Sequence, residues 1–214
     1  NVILGVGVAR LATIFGAGFM GQVDLSIFVL GLNIVEATLA PYSMVGQLVL
    51  SRASDGTDPD GKSTLQLMRL SQVMLVAVLV LVAALGPFLI PMLFGADFRA
   101  AYGVSLVLLI TGFAHSQMRT LANFFAGKGK PEMATPGLAT ELVVLLTLVF
   151  VLGPTMGMQG LVIASIAGAL LGMLVSSLQM RRLTASKWSE QFLLTGDDLR
   201  LLGKSLKSLR KARG

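Results

Sequence analysis

The sequence predicts an all-α membrane protein, a polytopic bundle of about six transmembrane spans. Three observations carry this expectation. Hydrophobic residues make up 54% of the 214 positions and charged residues 13%, too few polar side chains to cover a soluble core of this size. Several apolar stretches reach about 20 residues, enough at about 1.5 Å per residue to cross roughly 30 Å of hydrocarbon. From Phe94 to Arg182 one pattern also recurs: a span, a basic loop (GKGKPE, Gly127 to Glu132), a second span, a glycine-rich turn (GPTMGMQG, Gly153 to Gly160) and a third span.

The first span covers residues 1–15 and opens in apolar sequence without the basic start, apolar middle and cleavage site of a signal peptide. It is expected to be truncated, with natural sequence upstream of Asn1. A turn near Gly16 leads to the second span, residues 23–50, and the polar loop SRASDGTDPDGKST then stops helix formation. The third span covers residues 65–86, where Gly86-Pro87 is expected to end or kink it. Spans four, five and six cover residues 99–126, 132–152 and 158–180, joined by short connections that make neighbours antiparallel hairpins. Residues 183–214 form a basic amphipathic tail.

Charge orients this bundle. Of 17 basic and 11 acidic residues, nine and three fall in residues 181–214, which therefore carry the whole formal net charge of +6. Arg52, Lys62, Lys128, Lys130 and the tail fall on one side and only Arg99 on the other, so the first side and the C-terminus are expected to be cytoplasmic. Trp188 and Tyr102 then fall near opposite headgroup layers. In the tail, Leu199, Leu202, Leu206 and Leu209 make an apolar stripe on a basic helix with Asp197 and Asp198 at its start. That pattern fits a helix lying on anionic headgroups, or a partner-binding scaffold, rather than a nucleic-acid site. Cysteine is absent, which excludes disulfides and thiolate metal sites.

Polar groups inside spans are the candidates for function, since a charge at mid-bilayer costs about 2.5 to 3.5 kcal/mol. Arg69 lies close enough to a span end for its stem to reach headgroups. Arg119 and Glu141 are equally far from Lys130 at the hairpin and are expected at one depth, as an ion pair or as substrate-facing groups. Thr111, His115, Arg119 and Asn123 recur every fourth residue as a polar stripe that packs near Glu141 or lines a hydrated cavity. His115 is a hydrogen-bonded packing residue or a proton carrier. Asn33 and Glu36 in the second span, and Arg10 in the first, are cavity candidates or helix-packing groups. In span six, Gly160, Ala164, Gly168, Gly172 and Ser176 recur every fourth residue and predict close helix packing, with a flexible gate as the alternative. No nucleophile–base pair, metal cluster or phosphate loop is evident, so neither an enzyme nor a cofactor is expected.

The order of these elements resembles the C-terminal half of bacterial polysaccharide flippases, transporters of O-antigen and lipid-linked oligosaccharides in the superfamily that also holds the MATE drug antiporters. The resemblance rests on ATLAPYSMVGQLVLSRAS (Ala37 to Ser54), FGADFRAAYG (Phe94 to Gly103), NFFAGKGKPEM, and GMQGLVIAS (Gly157 to Ser165). It implies one six-helix lobe of a MATE-like fold in the bacterial cytoplasmic (inner) membrane, with the N-terminal lobe of the same protein as its partner. It further implies alternating access, in which a hydrated cationic cavity accepts the head of a polyprenyl-pyrophosphate-linked sugar. Arg10, Asn33 and Glu36 would line that cavity, with His115 and Arg119 beside them. A MATE-type antiporter of drugs or cations has the same architecture with a smaller substrate.

Overall fold

A computed structural model describes residues 11–39, 42–56, 58, 60–95, 98–184 and 191. Its elements are all helical, with no strand among the described residues. Residues 11–16 form α1. There follow α2 (Gln22–Leu39), α3 (Tyr42–Ser54), α4 (Lys62–Phe94), α5 (Arg99–Gly127), a 3-10 turn (Pro131–Ala134), α6 (Thr135–Met156) and α7 (Met158–Thr184). Four helices, α2, α4, α6 with its 3-10 turn, and α7, are long and apolar enough to cross a membrane. The chain is accordingly that of a membrane protein.

α5 is the hub, packed against α2, α3, α4 and α7. It falls outside the four apolar candidates, yet Leu108, Leu109, Leu121, Phe124 and Phe125 on it are fully buried. Other helices cover most of its length, so it can hold polar residues such as Ser105, Thr111 and Gln117 away from lipid. α4 is the opposite case. Val76, Val80, Leu81, Phe88, Met92 and Leu93 on it are exposed, an apolar face suited to acyl chains.

Residues 23–50 are described as two helices, α2 and α3, with Ala40 and Pro41 outside the described residues. Both follow α5 in one direction. Gly31 lies against Val104 and Leu108, Gly112 against Val35 and Leu39, and Gly46 against Asn123. The third span does not end at Gly86-Pro87, because α4 continues to Phe94 with Pro87 and Pro91 inside it. Proline near the end of a long apolar helix is tolerated because a lost bond leaves few alternatives in lipid. The turn after α6 is also tighter than the glycine run predicts: the helix runs to Met156 and only Gly157, at φ 54°, separates it from α7.

α6 and α7 make the most extensive helix pair. Gly160, Ala164, Gly168, Gly172 and Ser176 are all buried on one side of α7. A Cβ built on Gly160 would lie 2.7 Å from the Leu152 carbonyl oxygen, and one on Gly172 would lie 2.9 Å from that of Gly137. The backbones touch where side chains are missing, the arrangement that gives helices van der Waals attraction when lipid supplies no hydrophobic drive. At the far end α1 joins this pair, with Phe15 and Phe19 stacked near Phe150 at 5.4 and 6.2 Å between ring centroids.

Candidate functional site: the polar stripe of α5

Thr111, His115, Arg119 and Asn123 do not share one environment. Each step of four residues advances about 400° around an α-helix, so the stripe turns by about 40° per step. Thr111 is buried and donates to Leu108 O at 2.6 Å. His115 turns toward α6, its Nε2 hydrogen-bonded to Glu141 Oε1 at 2.5 Å. Arg119 is exposed. Asn123 packs against Gly46 of α3.

The expected ion pair between Arg119 and Glu141 is therefore corrected: Glu141 is held by His115, one turn deeper. Counting outward from Lys130 assumed equal rise along both limbs of the hairpin. The 3-10 turn Pro131–Ala134 breaks that equality only in part: rising about 2.0 Å per residue against 1.5 Å in the α-helix, it moves Glu141 about 2 Å further from the hairpin, less than half a turn. Counting also fixes depth without azimuth, and Arg119 has rotated away from α6. The Glu141 side chain is 4% exposed and that of His115 24%. Gly172 makes the burial possible, since a Cβ there would lie 3.0 Å from Glu141 Cβ and 3.1 Å from Met118 Cε.

Asn33 and Glu36 are both exposed on α2. The buried residues of that helix, Ile27, Phe28, Gly31, Val35 and Leu39, occupy the face turned to α5. Arg119, itself exposed, lies along α5 between Gly112, which meets α2, and Asn123, which meets α3. Arg10, like Trp188 and the tail leucines, lies outside the described residues. Arg69 does not reach out to headgroups, being only 7% exposed. Tyr102 directs its hydroxyl into the bundle, donating to Ala83 O at 3.0 Å.

The end of the bundle that carries the basic loops, here the basic end, contains a second polar arrangement. Asp58 is 3% exposed. Its carboxylate accepts from the amides of Ser63 and Thr64 at 3.0 and 2.9 Å and from the Thr64 hydroxyl at 2.7 Å. The two amides are first-turn groups of α4 that no intrahelical carbonyl can satisfy, and the negative charge complements the helix dipole. Lys128 donates to the Asp58 carbonyl at 2.6 Å and lies 5.5 Å from the Phe124 ring centroid. One lysine of the expected basic loop thus ties the α5–α6 connection to the start of α4. The signal was present in DPDGKST, an aspartate shortly before a Lys-Ser-Thr helix start.

Sequence reading missed three further polar residues in the core. Gln117 and Ser177 are fully buried, and among the described residues neither the Gln117 amide nor the Ser177 hydroxyl has a hydrogen-bond partner. Gln191 is also fully buried. A glutamine mid-span was the available signal for Gln117. No group of three or more metal-ligating side chains occurs among the described residues. No protein-family model, curated protein or solved structure matches the chain.

Proposed function

We propose that this chain is the C-terminal lobe of a bacterial polysaccharide flippase, moving a polyprenyl-pyrophosphate-linked sugar across the cytoplasmic membrane by alternating access, with its C-terminus in the cytoplasm. The reading takes α1, α2 with α3, α4, α5, α6 and α7 as the six crossings of such a lobe; four helices long and apolar enough to cross a membrane support it. One observation carries the reading: Arg119 on α5 and Asn33 and Glu36 on α2 are exposed. In lipid a charge at mid-bilayer would cost about 2.5 to 3.5 kcal/mol, so this surface is better suited to water, substrate or an apposed lobe. Arg119 is the cation best placed to meet a pyrophosphate, because a guanidinium donates paired, charge-assisted hydrogen bonds to phosphate oxygens.

Glu36 supports a second reading, since an exposed intramembrane carboxylate suits a cationic substrate of a MATE-type antiporter. Deletion of the complete gene separates the two. A flippase predicts accumulation of lipid-linked oligosaccharide on the cytoplasmic face, whereas an antiporter predicts unchanged lipid-linked sugar and altered export of organic cations.

A further inference from the structure

Proline interrupts the hydrogen-bond ladder of α4 where a neighbouring helix supplies the missing donor. Pro87 has no amide to give to the Ala83 carbonyl four residues back, and Pro91 removes the next bond of the same row. The Tyr102 hydroxyl of α5 donates to Ala83 O at 3.0 Å, so it fills the acceptor that Pro87 leaves open. Gly86 admits the ring. A Cβ there would lie 2.8 and 2.9 Å from Tyr102 Cδ2 and Cε2, which places the phenol directly on the α4 backbone beside the interruption.

Beyond Pro87 the helix is thinly held. Ile90 is its only buried residue after that point, packed with Ile27 of α2 and Ala101 of α5. Phe88, Leu89, Met92, Leu93 and Phe94 are exposed. On the other side of the interruption Leu65, Met68, Arg69, Ser71 and Leu75 are buried and anchor the rest of α4. Few buried contacts beyond a proline are the conditions under which a helix segment bends away from its neighbours.

We propose that residues 87–94 are an arm hinged at Gly86-Pro87, that the Tyr102 hydroxyl fixes its bend, and that release of this hydrogen bond opens the bundle opposite the basic end by uncovering Ile27 and Ala101. Tyr102 satisfies Ala83 O in the present geometry. Without the hydroxyl that carbonyl must turn to water or to an amide further along the arm, and either requires the arm to move. The inference does not rest on the transport reading.

The chain has no cysteine, so introduced thiols can carry paired spin labels. Met92→Cys on the arm and Val151→Cys on α6, both exposed, report the arm by double electron–electron resonance on the full chain in lipid nanodiscs. Met74→Cys with Val143→Cys, also exposed, is the control pair ahead of the hinge. Tyr102→Phe keeps the ring and removes the donor; the share of chains with a displaced arm should rise roughly tenfold while the control pair stays unchanged. Adding Pro87→Ala restores an amide to Ala83 O and should return the 92–151 distances to one narrow population. Gly86→Ala, whose methyl group displaces the ring, should move the arm as Tyr102→Phe does and carries the test if that variant does not insert. An unchanged arm overturns the proposal, and so does a displacement that Pro87→Ala fails to reverse, because the hydroxyl would then act elsewhere. Displacement of both pairs overturns it equally, since Tyr102 would hold the whole bundle rather than the arm.

Discussion

Replacing Gly172 by alanine places a methyl group 2.9 Å from the Gly137 carbonyl oxygen, 3.0 Å from Glu141 Cβ and 3.1 Å from Met118 Cε. The methionine can rotate, but the backbone oxygen of α6 cannot. Reaching ordinary contact requires α6 and α7 to part by about half an ångström, and overpacking of this kind costs about 1–3 kcal/mol. Alanine also gains about 1 kcal/mol over glycine in a helix interior, which partly hides the clash. Gly103 of α5 supplies the correction, because a Cβ there meets nothing within 4 Å. Gly103→Ala receives the propensity gain without the contact, so the difference between the two variants isolates the steric cost of about 1–3 kcal/mol. Reversible unfolding in mixed micelles, followed by far-ultraviolet circular dichroism, measures both. Equal stability of the two variants would refute close backbone packing as the basis of the α6–α7 pair.

His115→Ala leaves the Glu141 carboxyl, with its side chain 4% exposed, without its histidine partner. Unfolding in the same micelles should show a loss of about 1–3 kcal/mol, and adding Glu141→Leu should recover part of it; a neutral His115→Ala would contradict the pairing. Asp58→Ala removes the acceptor of two amides and one hydroxyl at the start of α4. It should cost about 1–2 kcal/mol, as loss of a helix cap does, and retained stability would show that water replaces the cap. Gln117→Leu removes from a fully buried site an amide with no partner among the described residues and should raise stability by about 1 kcal/mol or more. A lowered unfolding midpoint would instead assign that amide a partner.

What could be read from the sequence was whatever a single helix specifies by itself. The fourfold spacing of Gly160, Ala164, Gly168, Gly172 and Ser176 marks one helical face, and all five residues are buried there. The path of the second span was legible: α2 and α3 both follow α5. Relations between helices were less accessible. The hairpin count from Lys130 supplied a depth for Glu141 but no azimuth, and therefore named Arg119 in place of His115. Arg69 was placed by its distance from a span end, a measure blind to the helices around it, and it is buried. Gly86-Pro87 read as a stop or a kink, and the stop is excluded because α4 runs on to Phe94; the stop rule comes from helices in water, where freed backbone groups have solvent to meet. The Asp58 cap required knowing that the chain turns back on the first turn of α4.

The central claim is that the exposed polar groups of α2 and α5 serve the passage of a lipid-linked sugar. Its most direct test is the sidedness of lipid-linked oligosaccharide in cells whose only copy of the complete gene carries Arg119→Ala, with amount and insertion of the protein matched to the unsubstituted form. The account predicts that oligosaccharide accumulates on the cytoplasmic face, with flipping reduced by roughly tenfold or more, as expected when a paired, charge-assisted contact to phosphate is lost. Normal sidedness in that variant, and again when Glu36→Ala is added, would contradict it.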